Sequence, residues 1–277
     1  LTECPRDAFQ GFPKFIPTDR KTAYINRLMK AGVRRIDFGS FVSHKAVPQM
    51  ADTASVFENL KSPVGLYLIA IVANYRGVEG LVAANQKFGL TGNRKIHAAG
   101  FPMGVNETFQ QRNTNKSLDE AWAELGRMQE LLKKEGVDLV VYLSMAFGNP
   151  YGEPHQPAQV VEFAKRARDL GATTVQLADT VGVATAGEVG EIFSAVHNAL
   201  PDLELGVHLH ATPSSIRDKV KSALDAGCRL FDSAIGGIGG CPFTEDELVG
   251  NMDTLQLLPL LEEFGYKANY TIDGLLD

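Results

Sequence analysis

One junction recurs along this chain and restricts its fold more than any other feature: a helical stretch, a glycine, then a run rich in β-formers. It occurs at Ala31-Gly32-Val33-Arg34-Arg35-Ile36-Asp37 and at Glu135-Gly136-Val137-Asp138-Leu139-Val140-Val141. It returns at Leu170-Gly171-Ala172-Thr173-Thr174-Val175-Gln176 and at Ala226-Gly227-Cys228-Arg229-Leu230-Phe231-Asp232. Glycine just past the last helical turn accepts the left-handed conformation that ends a helix, and helix-to-strand loops are short in α/β units. Each copy therefore reads as a helix end feeding directly into a buried strand.

Extended along the chain, the pattern predicts strands at 1–4, 34–39, 64–73, 94–99, 138–144, 174–178, 204–210 and 230–233. Helices are expected near 18–31, 51–61, 75–88, 117–135, 156–170, 185–200, 213–226 and 244–264. Thr18, after Pro17, is read as the cap of the first helix, and Ser117-Leu118-Asp119-Glu120 as a capping box opening the fourth. Alternation at about 35 residues per unit predicts an α/β fold, a single (β/α)8 barrel over residues 1–277 with its active site at the C-terminal ends of the strands. The competing architecture, a doubly wound open sheet, expects Gly-x-Gly-x-x-Gly after the first strand. Here that turn is Pro5-Arg6-Asp7-Ala8.

A net charge of −6 points away from nucleic acid and from anionic membrane surfaces. The apolar stretch from Val64 to Ala73 falls short of the roughly 20 residues of a spanning helix. Cys4, Cys228 and Cys241 form an odd, widely spaced set that suits a reducing compartment. With no secretory signal recognisable, a cytoplasmic enzyme is expected, although Leu1 is not a methionine and leaves room for a preceding targeting segment.

The strand expected at 204–210 ends in His208-Leu209-His210. Alternate residues of a strand share a face, so both imidazoles project the same way, as half of a metal site. Other polar residues fall at the expected strand ends: Arg6 and Asp7, then Asp37, Ser40 and Ser43, then Asp179-Thr180, with Cys241 and Asn251 after the eighth strand. Singly, each has an ordinary explanation. Asp179 could cap a helix, Asp37 could pair with a lysine or arginine, and Cys241 could be a small buried hydrophobe. Together on one rim they point to Asp7, His208, His210 and Asn251 as ligands of a hard divalent cation. Arg6 would then stabilise an enolate oxygen, and Cys241 would exchange a proton with a carbanion carbon. Cys4 and Cys228 are read as packing residues.

Arg6-Asp7-Ala8-Phe9-Gln10, the stretch from Ser40 to Met50, Asp179-Thr180-Val181-Gly182, His208-Leu209-His210 and Gly239-Gly240-Cys241-Pro242 resemble the 3-hydroxy-3-methylglutaryl-CoA lyase family. The Ser-Phe-Val-Ser and Gly-Gly-Cys-Pro stretches are specific to it. The Arg-Asp and His-x-His elements are shared with a wider superfamily of synthases and an aldolase. The resemblance implies retro-Claisen cleavage of an acyl-CoA substrate to acetyl-CoA and acetoacetate. It implies Mg2+ or Mn2+ on Asp7, His208, His210 and Asn251, with Arg6, Cys241, Asp37 and Asp179 in catalytic roles. Substrate would touch Gln10, Ser40, Thr180 and Asn113, the last in the motif Arg112-Asn113-Thr114-Asn115. Lys45, Arg76, Arg112, Lys116 and Arg217 are candidates for the CoA phosphates. The assembly is left open between monomer and homodimer.

Three departures accompany the resemblance. Ala211 stands where the family has Asp after the second histidine, Asp37 where it has Glu, and Thr244 to Val249 where it has a short Gly- and Ala-rich loop. They favour, as alternatives, a related lyase or condensing enzyme acting on another branched 3-hydroxyacyl-CoA or a 2-keto acid, or a non-catalytic metal- and CoA-binding barrel.

Overall fold

A computed structural model describes residues 1–89, 94–239, 249–268 and 270. Eight strands follow one another around a closed barrel: β1 (Thr2–Glu3), β2 (Arg35–Ser40), β3 (Tyr67–Ile71), β4 (Ala98–Gly104), β5 (Asp138–Ser144), β6 (Thr174–Ala178), β7 (Glu204–His208) and β8 (Phe231–Ser233). Every neighbouring pair is parallel, and β1 closes on β8 with Glu3 opposite Ser233. The expected (β/α)8 barrel is present, and an open sheet is excluded. All four junction glycines adopt positive φ, +99° at Gly32, +61° at Gly136, +100° at Gly171 and +99° at Gly227.

The helices are α1 (Pro5–Gln10), α2 (Thr18–Lys30), α3 (Thr53–Asn59), α4 (Tyr75–Phe88), α5 (Glu107–Thr114), α6 (Leu118–Lys134), α7 (Pro157–Leu170), α8 (Ala186–Ala199), α9 (Ile216–Asp225) and α10 (Thr254–Glu263). Ser117 and Glu120 form the expected capping box at α6, and Thr185 and Glu188 form a second at α8. Thr18 is not the cap of α2. Pro17 holds that position, while the Thr18 hydroxyl donates to Asp52 Oδ2 at 2.7 Å. The short helices α1 and α5, both in loops that follow strands, escape the pattern reading; Pro5 fits the first turn of α1, where no N–H is required.

Two strands differ from expectation. Val64 is almost fully exposed before a turn at Gly65, so β3 starts only at Tyr67. β4 begins at Ala98, four residues after the expected Arg94, and runs through Gly100 and Pro102 to Gly104. Gly100 is bonded toward β3 through the Val72 N–H, and Pro102, two residues on, faces that same side beyond the last paired residue of β3, where no donor is needed. Of the helix expected at 244–264, residues 244–248 lie outside the described residues, and α10 starts at Thr254.

Large side chains such as Phe57, Phe101, Phe193 and Leu81 are fully buried in the main core. The barrel interior is divided. On β3, β4 and β5 it is apolar, with Ile69, Ile71, Ala98, Val140 and Tyr142 in one cluster. Opposite them Asp37, His208 and Asp232 project from β2, β7 and β8. A bulge between Asp37 and Gly39 permits this arrangement, because one extra residue reverses the facing of those that follow. Ser40 is thereby turned to the interior. Gly39 lies so close to α3 that a Cβ there would stand 2.6 Å from Thr53 Cγ2.

Closure between β1 and β8 depends on Glu3, which is completely buried. Its Oε1 accepts from the Ile235 N–H at 2.8 Å and its Oε2 from the Thr254 hydroxyl at 2.7 Å, tying β1 to both ends of the segment that carries Asn251. Burial raises its carboxyl to about 7, against the opposing effect of those hydrogen bonds. A folded-state pKa above the ordinary value means that the folded protein holds this proton more tightly than the unfolded chain. Its contribution to stability is full below pH 4.5 and is lost as pH rises through about 7. Relative to wild type, Glu3→Gln should therefore remove a decline of about 3 kcal/mol between these pH values. Urea unfolding of both proteins at pH 4.5 and 7.5 measures it. Parallel pH profiles would show that Glu3 is not the group responsible.

Candidate active site

At the C-terminal mouth of the barrel, β1 ends and α1 begins with Arg6 and Asp7 in its first turn, both buried. The Arg6 guanidinium is fixed on two sides. Its Nε and Nη2 donate to Asp37 Oδ2 at 3.0 and 2.6 Å, and its Nη1 donates to Asp7 Oδ1 at 2.8 Å and to Gln10 Oε1 at 3.0 Å. Gln10 Nε2 donates to the same Asp7 oxygen at 2.7 Å. The second oxygen of Asp7 accepts from Asn251 Nδ2 at 2.6 Å. Asp7 thus stands at the centre of a hydrogen-bonded cradle. Burial alone would raise its pKa, but Arg6, His208, His210 and the Asn251 hydrogen bond outweigh it and hold the carboxyl at about 2.

Ligand atoms of Asp7, His208 and His210 all lie within 4.8 Å of one another. His208 Nδ1 is 3.2 Å from Asp232 Oδ2, and Asp232 Oδ1 accepts from Gln176 Nε2 at 2.9 Å. Burial disfavours protonation of His208, yet the Asp232 hydrogen bond and the charges of Asp232 and Asp7 raise its pKa on balance. For His210, burial and the neighbouring His208 lower it to about 4, so it is a neutral imidazole at pH 7. A hydrogen bond between its ring and the Val249 backbone favours protonation but does not outweigh burial.

These residues fit a divalent cation. Three buried carboxylates, Asp7, Asp37 and Asp232, share the site with one buried guanidinium, Arg6, an excess of two negative charges. A divalent ion offsets that surplus, and the neutral His210 imidazole offers a ring-nitrogen lone pair close to the ligand atoms of Asp7 and His208. The Asp232–His208 contact matches the carboxylate that usually orients a metal-binding histidine. Cys4, His208 and Asp232 form a second cluster with suitable spacing. Burial first of all, reinforced by nearby Asp232 and Asp37, pushes the Cys4 thiol well above its ordinary range, which makes it a poor ligand.

Above the cluster opens a cleft of about 540 Å³, lined by Arg6, Asp7, His208, His210, Gln10, Ser40, Ser43, Asn113 and Thr180 among others. Its other wall is apolar, with Val42, Ile71, Pro102, Phe109 and Tyr142. The Ser40 hydroxyl donates to the Ile71 carbonyl at 3.2 Å, and the Thr180 oxygen accepts from the Met145 N–H at 3.0 Å. Three expected residues are not on the cleft wall. Asp37 lies behind Arg6, with its Oδ1 unpartnered and its carboxyl raised to about 6 by burial, against the pull of Arg6. Asp179 is buried, accepts from Lys219 Nζ at 2.8 Å and from the Ala184 N–H at 3.2 Å, and caps no helix, since Thr185 opens α8. Asn251 sits beneath Asp7. Cys241 lies outside the described residues.

Asp232, Lys219 and Tyr142 escaped the sequence reading. Asp232 and Tyr142 carried a signal, a polar group at an inward position of a strand that is otherwise buried and apolar. The Tyr142 hydroxyl is buried without a partner on the cleft wall, and its ring meets His208 edge-on at 5.9 Å. Lys219 carried none.

Comparison with known proteins agrees with this geometry. The HMGL-like family model matches residues 2–277. The cytoplasmic 3-hydroxy-3-methylglutaryl-CoA lyase of Danio rerio is 34% identical over 95% of this chain and 76% of its own length. The HMG-CoA lyase of Brucella melitensis superimposes with a TM-score of 0.89 at 31% identity, covering 99% of this chain and 94% of that one. An HMG-CoA lyase of Acinetobacter baumannii, solved with coenzyme A and 3-methylmalate, gives 0.89 at 29% identity over 99% and 87%. By sequence over nearly its whole length and by fold, the chain is an enzyme of the HMGL-like family, among the carbon–carbon lyases that carry the hydroxymethylglutaryl-CoA lyase name.

Proposed function

We propose that this chain, as one catalytic barrel over residues 1–277, is a metal-dependent retro-Claisen lyase that cleaves 3-hydroxy-3-methylglutaryl-CoA to acetyl-CoA and acetoacetate. One observation carries the reading: Asp7, His208 and His210 converge on a single point beside Arg6, at the floor of a cleft with an opposing apolar wall. The named lyases, and the coenzyme A and 3-methylmalate bound by one of them, support it. Mg2+ or Mn2+, held by Asp7, His208 and His210 with Asn251 alongside, would supply Lewis acidity toward the hydroxyl and carbonyl oxygens of the substrate.

The protein's own groups divide the remaining work. A guanidinium carries five N–H donors. In Arg6 four are engaged by Asp37, Asp7 and Gln10, which leaves one on Nη2 for the oxygen that becomes an enolate. Asp37 stands behind the wall and serves by aiming Arg6; Asp179 serves through Lys219. The tertiary hydroxyl gives up its proton to water in the open cleft, and its oxygen becomes the acetoacetate carbonyl. As the bond between the carbinol carbon and the adjacent methylene breaks, its electron pair passes to the thioester enolate, and Cys241 delivers the proton that completes acetyl-CoA. Gln10, Ser40, Thr180 and Asn113, which line the cleft, would orient the acyl group. Of the cations considered for the CoA phosphates, Arg112 and Lys116 line the cleft, whereas Arg217 is paired with exposed Glu263. Among the described residues no helix is long and apolar enough to cross a membrane.

A second reading, cleavage of another branched 3-hydroxyacyl-CoA, is favoured by Ala211, which directly follows a cation ligand where the resemblance leads one to expect Asp. A panel of 3-hydroxyacyl-CoA esters separates the two.

Release of acetyl-CoA from 3-hydroxy-3-methylglutaryl-CoA should vanish with a chelator and return with Mg2+ or Mn2+. Arg6→Met should lower kcat about 100- to 1000-fold, as expected for loss of one oxyanion donor. Metal-loaded protein that binds the ester yet releases nothing from any member of the panel would overturn the assignment. Cys241→Ala should lower kcat by about 10² to 10⁴ while leaving KM near wild type, the signature of a lost proton transfer. An unchanged kcat would remove Cys241 from the mechanism.

A further inference from the structure

Lys219, on α9, is 3% exposed, and a lysine ammonium is among the groups least often found fully inside a protein. It donates to Asp179 Oδ2 and to the backbone carbonyl of His210, each at 2.8 Å. As a source of stability such a pair has little to recommend it, because replacing a buried ion pair by apolar residues is often neutral or favourable. Its position suggests a different role. β7 ends at His208, and the two residues that follow leave the sheet. From one side they are pinned by a short bridge, with the Ala211 N–H donating to Gly250 O at 3.1 Å and the Met252 N–H to Leu209 O at 3.2 Å. That bridge also sets Asn251 beside Asp7. From the other side the His210 peptide is held by Lys219.

We propose that Lys219 is a positioning residue for the cation site: it fixes the peptide of His210, and so the imidazole that it carries, giving from α9 a polar anchor that Ala211 lacks. Asp179 cancels the ammonium charge within the pair, so the anchor adds no net positive charge beside the cation. This rests on the metal reading above.

The test removes the pair as a unit, so that no buried charge is stranded. In Asp179→Asn/Lys219→Met the anchor is gone; in Asp179→Asn/Lys219→Gln an N–H donor one bond shorter remains. Mn2+ dissociation constants are read from the electron paramagnetic resonance of the free ion, with thermal melting as the control for folding. The methionine variant should melt close to wild type yet bind Mn2+ about 10- to 100-fold more weakly, and the glutamine variant should recover part of that loss. Should the methionine variant not fold, weaker Mn2+ binding by the folded glutamine variant supports the proposal, and wild-type affinity there overturns it. Wild-type affinity in the methionine variant also overturns it and reduces Lys219 to a counterion of Asp179. If wild-type protein itself fails to bind Mn2+, the metal reading has failed instead.

Discussion

Two unbalanced negative charges at the mouth of the barrel set the terms for the rest of the structure. Asp7 and Asp37 are buried against a single guanidinium, and Asp232 is buried beside His208. Burying a carboxylate costs several kcal/mol unless it is paired or bonded to a cation. The hydrogen bonds are distributed accordingly. Arg6 and Gln10 serve one oxygen of Asp7, Asn251 serves the other, and Gln176 supports Asp232. The carboxyl of Asp37, with one oxygen unpartnered, is the one that burial brings closest to neutrality. Asp7, His208 and His210 bring ligand atoms close enough together for a divalent cation to complete this balance.

The division of the barrel interior follows from that requirement. Polar and charged side chains from α1, β2, β7 and β8 gather on one arc, and the apolar cluster of β3, β4 and β5 faces them. A low-dielectric wall strengthens the field of the charged groups that face it, Arg6 and Asp7 among them. Rigidity comes from long-range ties rather than from the loops themselves. Glu3 links β1 to Ile235 and Thr254, and Lys219 links α9 to the loops after β6 and β7. The Glu3 ties and the Lys219–Asp179 pair cross from one βα unit to another.

The sequence made the barrel readable because its determinants are local: a glycine at each helix end needs only its own φ, and alternation needs only neighbours. Arg6, Asp7, His208 and His210 were legible for a related reason, since they sit at strand ends where the fold places chemistry. What stayed hidden is tertiary. The depth of Asp37 behind Arg6 arises from a pairing across 31 residues, and the Lys219–Asp179 contact spans 40. β4 was misplaced because Gly100 and Pro102 argue against a strand locally, and only the early end of β3 makes Pro102 acceptable. Asp232 could have been suspected from a lone acid in an apolar strand, but its partner His208 becomes visible only once β7 and β8 are side by side.

The central claim concerns where one ion binds. Anomalous scattering at the manganese edge, from crystals grown with Mn2+, tests it most directly. The account predicts a single strong peak bounded by the Asp7 carboxylate and the imidazoles of His208 and His210. A peak displaced into the barrel between Cys4 and Asp232, or none near Asp7, would contradict it.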